Sequence, residues 1–245
     1  MLKINEATKS FAGIVAVDKC SFEIKQGTIS ALIGPNGAGK TTMFNCISHI
    51  CHIDSGQIFY NNHRLDLMPT HKIARLGIGR SFQITRTLDQ LSVTENLVLH
   101  TAGGIGSHLF HQDITPENRL KACEVMEFLG ISTLADVDMG ELSFGQKKLL
   151  DLGAVLMADP DLILLDEPAA GMNPKETQEL DEHIKRIRNQ GVTIILVEHD
   201  MNLVMGISDH ITVLNFGEKI AEGPPATIQS DPVVIEAYLG EEEIL

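Results

Sequence analysis

Apolar and polar residues alternate along LKINEA (residues 2–7) and VDKCSFEI (residues 17–24), the pattern of strands that present one face to a core and one to water, as in an antiparallel sheet. Gln26-Gly27 then turns the chain into TISALIG (28–34), a short apolar run suited to a buried strand, which ends on a glycine-rich loop. TTMFNCISHI (41–50) follows with helical character, and SGQIFYNNHRL (55–65) has the form of a hairpin turning at Asn61-Asn62. From about Thr94 to Ala158 the period becomes helical. ENRLKACEVMEFLGI (117–131) places Leu120, Cys123, Val125, Met126 and Leu129 largely on one face, with Gly130 as its stop. Ser143 with Gln146 three residues later has the form of a capping box opening the helix KKLLDLGAVLMA (147–158), which Asp159-Pro160 ends.

The rest of the chain alternates strand and helix. DLILLDEP (161–168) is a continuous apolar strand closing on two carboxylates; Pro174 starts a helix that Gly191 ends; VTIILVEH (192–199) is a second buried strand with polar residues at its carboxyl end. HITVLNFGEKIAEG (210–223) reads as a terminal hairpin and DPVVIEAYLG (231–240) as a short last helix. Strand-helix-strand alternation with a helical block inserted predicts an α/β fold: a mostly parallel sheet carrying a helical lobe.

Composition narrows the function classes. The 245 residues suffice for one large α/β domain, and 43% hydrophobic with 21% charged residues is an ordinary globular balance. A net charge of -14 argues against a protein built to grip nucleic-acid backbones, so no nucleic-acid partner is expected. No apolar run approaches membrane-spanning length, and MLKINEATKS lacks the apolar core of a secretion signal, so a cytoplasmic protein is the expectation. Of the four cysteines, Cys46 and Cys51 lie with His49 and His52 in a cluster that lacks the spacing of known zinc motifs; a helix end with incidental thiols is the alternative.

The local chemistry is concentrated in Gly34-Pro35-Asn36-Gly37-Ala38-Gly39-Lys40-Thr41, which fits GxxxxGK[ST] between an apolar strand and a helix. Such a P-loop turns successive amides toward phosphate oxygens. The helix adds its positive end, Lys40 a point charge and Thr41 a hydroxyl for Mg²⁺, with Thr42 beside it. Asp166 closes the strand of residues 162–166, where a P-loop protein holds its Mg²⁺, and Glu167 next to it can polarise an attacking water.

Further motifs make the pattern resemble a family. Leu142-Ser143-Phe144-Gly145-Gln146, about twenty residues before Asp166, is similar to the LSGGQ signature of ATP-binding cassette (ABC) ATPases. Gln83 in RSFQ resembles their Q-loop glutamine, His199 in VEHD their switch histidine, and Phe11 stands where they stack an aromatic on adenine. The resemblance runs from Phe11 to about Gly240 and implies a P-loop NTPase of ABC type. Its antiparallel N-terminal β subdomain and RecA-like core would occupy approximately 1–86 and 159–245, and its helical signature subdomain approximately 87–158. It implies ATP and Mg²⁺ as ligands: Thr41, Gln83 and Asp166 toward the metal; Glu167 as base; His199 on the γ-phosphate; Gln83 relaying nucleotide state to a permease.

It also implies a second ATPase subunit, either another copy or a paralogue. Each ATP would sit between one P-loop and the partner's Ser143, Gly145 and Gln146, where the capped helix presents a second positive end. Transmembrane permease subunits on the inner membrane face, and a binding protein reached indirectly, complete the picture. Two departures stand out: Phe144 replaces the first signature glycine, and Asn173 replaces the aspartate common in the D-loop.

Within the family, GIGRSFQ, DEPAAGMNP, EHDMNLVMGISD and EAYLGEE resemble the ATPases of branched-chain amino acid importers, the larger of two paralogues, although residues 100–116 are shorter than in that paralogue. Urea and amide importers, lipopolysaccharide-transport ATPases and soluble iron-sulfur assembly ATPases are the neighbouring readings. DNA-maintenance ABC ATPases carry long coiled-coil insertions, and no sustained heptads occur here.

Overall fold

The computed structural model describes residues 1–81, 88–101 and 114–242. In chain order these form β1 (Leu2–Phe11), β2 (Ile14–Ile24), β3 (Ile29–Ile33), α1 (Lys40–Ile47), β4 (Ser55–Tyr60), β5 (His63–Arg64), α2 (Thr70–Ala74), β6 (Ile78–Arg80), α3 (Val93–Val98), α4 (Pro116–Phe128) and α5 (Phe144–Leu156). Then follow β7 (Leu162–Asp166), α6 (Pro174–Asn189), β8 (Thr193–Val197), α7 (Met201–Ile207), β9 (His210–Asn215), β10 (Glu218–Gly223), α8 (Pro225–Gln229) and α9 (Pro232–Glu242).

Two sheets carry the architecture. The first, β2-β1-β4-β5, is antiparallel throughout, with Leu2 facing both Ile24 and Tyr60. The second has the order β10-β9-β3-β8-β7-β6; its five strands from β9 to β6 run parallel, and β10 joins β9 as an antiparallel edge. Every residue of β3, β7 and β8 is buried. That explains their unbroken apolar runs, since a parallel sheet is covered on both faces.

Alternate residues of those strands enter two different cores. Ile29, Ala31, Ile33, Ile163, Leu165, Ile194 and Leu196 pack with residues of α3, α4, α5, α6 and α7. Leu32, Leu162, Leu164, Ile195 and Val197 pack instead with the antiparallel sheet and with Met43, Phe44 and Ile47 of α1. Strand alternation thus assigns α1 to one face of the sheet and α5 to the other.

One expected helix face is corrected. On α4 the buried residues are Ala122, Val125 and Met126, continued by Leu129, whereas Leu120 and Cys123 are exposed. Leu129 and Val125 close on the backbone of Gly153 in α5 together with Leu97 of α3. The groove beside that glycine, distant in sequence, selects which stripe of α4 turns inward.

Candidate functional site

The phosphate-binding loop is fixed by three glycines for two reasons. At Gly34 (φ 148°) an added Cβ would lie 2.0 Å from the Leu214 carbonyl oxygen, and at Gly39 (φ 100°) 2.3 Å from that of Ala16. Gly37 has open space around it but a φ of 74°, which side chains disfavour. Strands β9 and β2 therefore press on the loop from behind. A backbone ladder reinforces them: Gly217 N–H donates to the Ala38 carbonyl at 3.1 Å, and Asp18 N–H to the Gly217 carbonyl at 2.8 Å.

Gly39 opens α1 in the left-handed conformation, and no side chain caps that helix. Its first-turn amides are thereby left to an outside acceptor, and the helix end favours an anion. Lys40, only 6% exposed, donates from Nζ to the carbonyls of Gly34 (2.7 Å) and Pro35 (2.8 Å), which holds the ammonium across the loop. Asn36 and Gly37 form the exposed crest; Pro35 and Ala38 are buried beneath it, Thr41 is exposed and Thr42 half-buried. A backbone nest, a captive cation and a hydroxyl at one helix end form a donor set for polyphosphate.

The acids stand one strand away. In register, Val197 of β8 pairs with Leu32 of β3 on one side and Asp166 of β7 on the other. The P-loop, Asp166, Glu167 and His199 therefore all emerge at the carboxyl edge of one sheet, the edge where open α/β sheets bind ligands. Asp166 is 3% exposed; Arg80 Nη2 donates to its Oδ2 at 3.1 Å, and its own N–H donates to Ser81 Oγ at 3.2 Å. Burial raises the carboxyl's pKa, with Arg80 opposing the rise. Asp166 Oδ1 is buried and meets no hydrogen-bond partner among the described residues. A buried carboxylate oxygen of this kind suits a hard divalent cation or its water, so the residues present fit Mg²⁺.

Glu167 bends away from the strand at φ 50°, its N–H held by the Val197 carbonyl at 2.9 Å and its own carbonyl accepting from Lys148 Nζ at 3.3 Å. Its Oε1 lies 3.1 Å from His199 Nε2, a contact in which the imidazole N–H donates to the carboxylate. Carboxylate and imidazole thus meet at the open edge, a pairing able to accept a proton from water and orient the group it attacks.

The structure does not bring the signature to this chain's own P-loop, since α5 and α1 belong to different cores. Ser143 caps α5 in a full capping box: its Oγ accepts from Gln146 N–H at 3.2 Å, and Gln146 Oε1 accepts from Ser143 N–H at 2.8 Å. Gly145 faces Glu176 of α6, whose Oε1 would lie 2.4 Å from an added Cβ. Phe144, 56% exposed, lays its ring edge against Gly171, so the larger residue is accommodated beside this chain's own loop after Glu167. Asn173 caps α6, accepting from the N–H groups of Lys175 (3.0 Å) and Glu176 (3.1 Å), which is why an uncharged side chain serves there. Phe11, at the end of β1, is 48% exposed with Lys9 Nζ 5.1 Å from its ring centre; it is a surface aromatic and not a core one. Gln83 lies outside the described residues.

Comparison with known proteins gives the family. Residues 17–170 match the family model described as ABC transporter. The chain belongs to the ATP-binding cassette family. Residues 218–244 of this ABC ATPase also match the model described as branched-chain amino acid ATP-binding cassette transporter. It is 40% identical to the high-affinity branched-chain amino acid transport ATP-binding protein LivG of Escherichia coli (strain K12), over 98% of each chain. BraF of Pseudomonas aeruginosa, described in the same words, is 38% identical with the same coverage. Among solved structures, the ADP conformation of MJ1267, an ATP-binding cassette of an ABC transporter, superposes with a TM-score of 0.90 at 33% identity, covering 98% of both chains.

Three residues of the ABC ATPase site escape the sequence motifs. Arg80 joins Asp166 to Ser48 at the end of α1, donating to Ser48 Oγ at 2.7 Å. Lys148, buried in α5, ties the signature helix to the Glu167 carbonyl. Glu198, 4% exposed, accepts from the N–H groups of Ala169 (2.8 Å) and His199 (3.0 Å). Arg80 and Glu198 sit inside the stretches GIGRSFQ and VEHD that carry the family resemblance. Asp166 and Ala169, however, are 86 and 29 residues away from them, so no local pattern announces these two contacts.

Proposed function

We propose that this ABC ATPase powers a branched-chain amino acid importer by hydrolysing Mg-ATP at a site shared with a second ATPase subunit. The amides of residues 34–42, with Lys40, hold the phosphates. Thr41 and Asp166 hold Mg²⁺, which supplies charge neutralisation on the phosphates when bound, and Gln83 completes its surroundings. Glu167 takes the proton of the attacking water, His199 steadies Glu167 and the γ-phosphate, and Phe11 stacks on the adenine. The partner's Ser143, Gly145 and Gln146 close over the triphosphate. Residues 87–158 act as the helical signature subdomain against a core formed by 1–86 and 159–245.

The observation that carries the mechanism is the 3.1 Å contact of Glu167 with His199 at the sheet edge that bears the P-loop. The transported class rests on the relatives' printed function at 40% identity over nearly the full chain. Among the described residues no helix is long and apolar enough to cross a membrane; the permease subunits of this reading are separate chains, docked near Gln83 on the inner membrane face. Ser143→Arg tests the shared site: hydrolysis by the assembled transporter is expected to vanish while the isolated chain keeps its affinity for Mg-ATP. Equal loss of affinity in the isolated chain would contradict the arrangement.

A further inference from the structure

The last turn of α1 and the turn that follows it hold two thiols that nucleotide chemistry does not use. Cys46, 1% exposed, lies in the last turn of the helix, Cys51 is half-buried, and their Sγ atoms are 3.4 Å apart. A helix end brings them together. His49 enters the left-handed region at φ 55°, and the N–H groups of Ile50 (2.8 Å) and Cys51 (3.2 Å) both donate to the Asn45 carbonyl, folding residue 51 back over α1. A disulfide needs about 2.0 Å between sulfurs, so the shift from contact to bond is small. The neighbouring His49 and His52 rings pack edge-on against each other, and no group of three or more metal-ligating side chains occurs among the described residues.

The same turn touches the nucleotide site from two directions. Ser48 accepts from Arg80, whose other nitrogen pairs with Asp166. Asp54 accepts from Lys9 Nζ (2.8 Å) and from Ser10 N–H (2.7 Å), and Lys9 lies over the ring of Phe11. Drawing residue 51 onto the helix acts on a segment anchored both to the buried acid and to the exposed aromatic.

We propose that Cys46 and Cys51 form a reversible dithiol–disulfide pair whose oxidation by a low-molecular-weight disulfide changes the affinity of the site for Mg-ATP. The chemistry is thiol–disulfide exchange. The Cys51 thiolate attacks one sulfur of the oxidant and expels its first thiolate; Cys46 then attacks Cys51 Sγ, passing its proton to a departing thiolate, and expels the second. The protein loses two electrons and two protons, and the oxidant disulfide is reduced to two thiols. Burial pushes the Cys46 thiol above its ordinary range, which makes the more accessible Cys51 the first attacker. Transient pairs of this type are the usual form of disulfide in reducing compartments.

The effect on affinity rests on the nucleotide reading; the thiol chemistry does not. The test uses the full chain with exposed Cys123 replaced (Cys123→Ser), treated with glutathione disulfide. Two free thiols are expected to disappear, the mass to fall by two hydrogens, a proteolytic peptide to join Cys46 to Cys51, and dithiothreitol to reverse all three. Affinity for Mg-ATP is expected to differ about fivefold or more between the two forms. Cys46→Ser or Cys51→Ser in the same background is expected to remove that response. Unchanged thiol content, or a glutathione adduct that persists on Cys51, overturns the site. Disulfide formation with unchanged affinity overturns the coupling. A reduced chain that fails to bind Mg-ATP refutes the nucleotide reading instead, and the thiol count tells the two failures apart.

Discussion

Helix α1 opens at the P-loop and α5 at the signature motif, and their first turns are built in opposite ways. At α1 the capping residue is a glycine in the left-handed region and no side chain reaches back to the amides. At α5 Ser143 and Gln146 satisfy each other's backbone reciprocally. The first is a finished anion site held open by its backbone, with Ala16 and Leu214 pressing on the glycines. The second is a self-satisfied helix end; in the shared site proposed above, its polar groups would exchange a partner within the chain for one across a subunit boundary. One end is left open to an anion; the other is closed by its own side chains.

The sharpest way to break this contrast is at the chemistry between the two ends. Glu167→Gln is expected to lower turnover about 10²- to 10⁴-fold while leaving Mg-ATP affinity of the isolated chain intact, measured by single-turnover hydrolysis beside equilibrium binding. Wild-type turnover in that variant would remove Glu167 as the base.

Next in size is a pair of alanines. Gly39→Ala meets backbone at positive φ, so a stability loss of about 1–3 kcal/mol with loss of nucleotide binding is expected in denaturant titration. Gly145→Ala meets only the flexible end of Glu176 inside a helix, so stability within about 1 kcal/mol of the parent is expected while paired hydrolysis falls. Equal destabilisation by both would erase the distinction between the two ends.

The smallest effects concern the caps. Ser143→Ala and Asn173→Ala are each expected to cost about 1 kcal/mol, whereas Asn173→Asp stays within a few tenths. A large loss in the last variant would show that the missing charge at this position matters in its own right.

The contrast also sorts what was legible in the sequence. The P-loop, the capping box and the two acids could be read because each is set by neighbours within a few residues: a turn that only glycine can make, a serine three places before a glutamine, an apolar strand that ends in carboxylates. The alternation of buried strands with helices likewise foretold the parallel sheet. What could not be read was any choice made by a distant group. The inward stripe of α4 depends on Gly153, the seating of Phe144 on Gly171, and the partner of Asp166 on Arg80. Leu120 and Cys123 have the spacing of a core face and still lie in water, because period alone fits more than one stripe of a short helix.

Glu198 shows what such a distant choice means in mechanical terms. One carboxylate, shut away from solvent, grips the amide of Ala169 with one oxygen and that of His199 with the other. The loop carrying Gly171 and the strand end carrying the imidazole are therefore yoked at a common pivot. In the paired arrangement proposed above, a push delivered to the loop by a neighbouring subunit would reach the histidine without passing through the nucleotide.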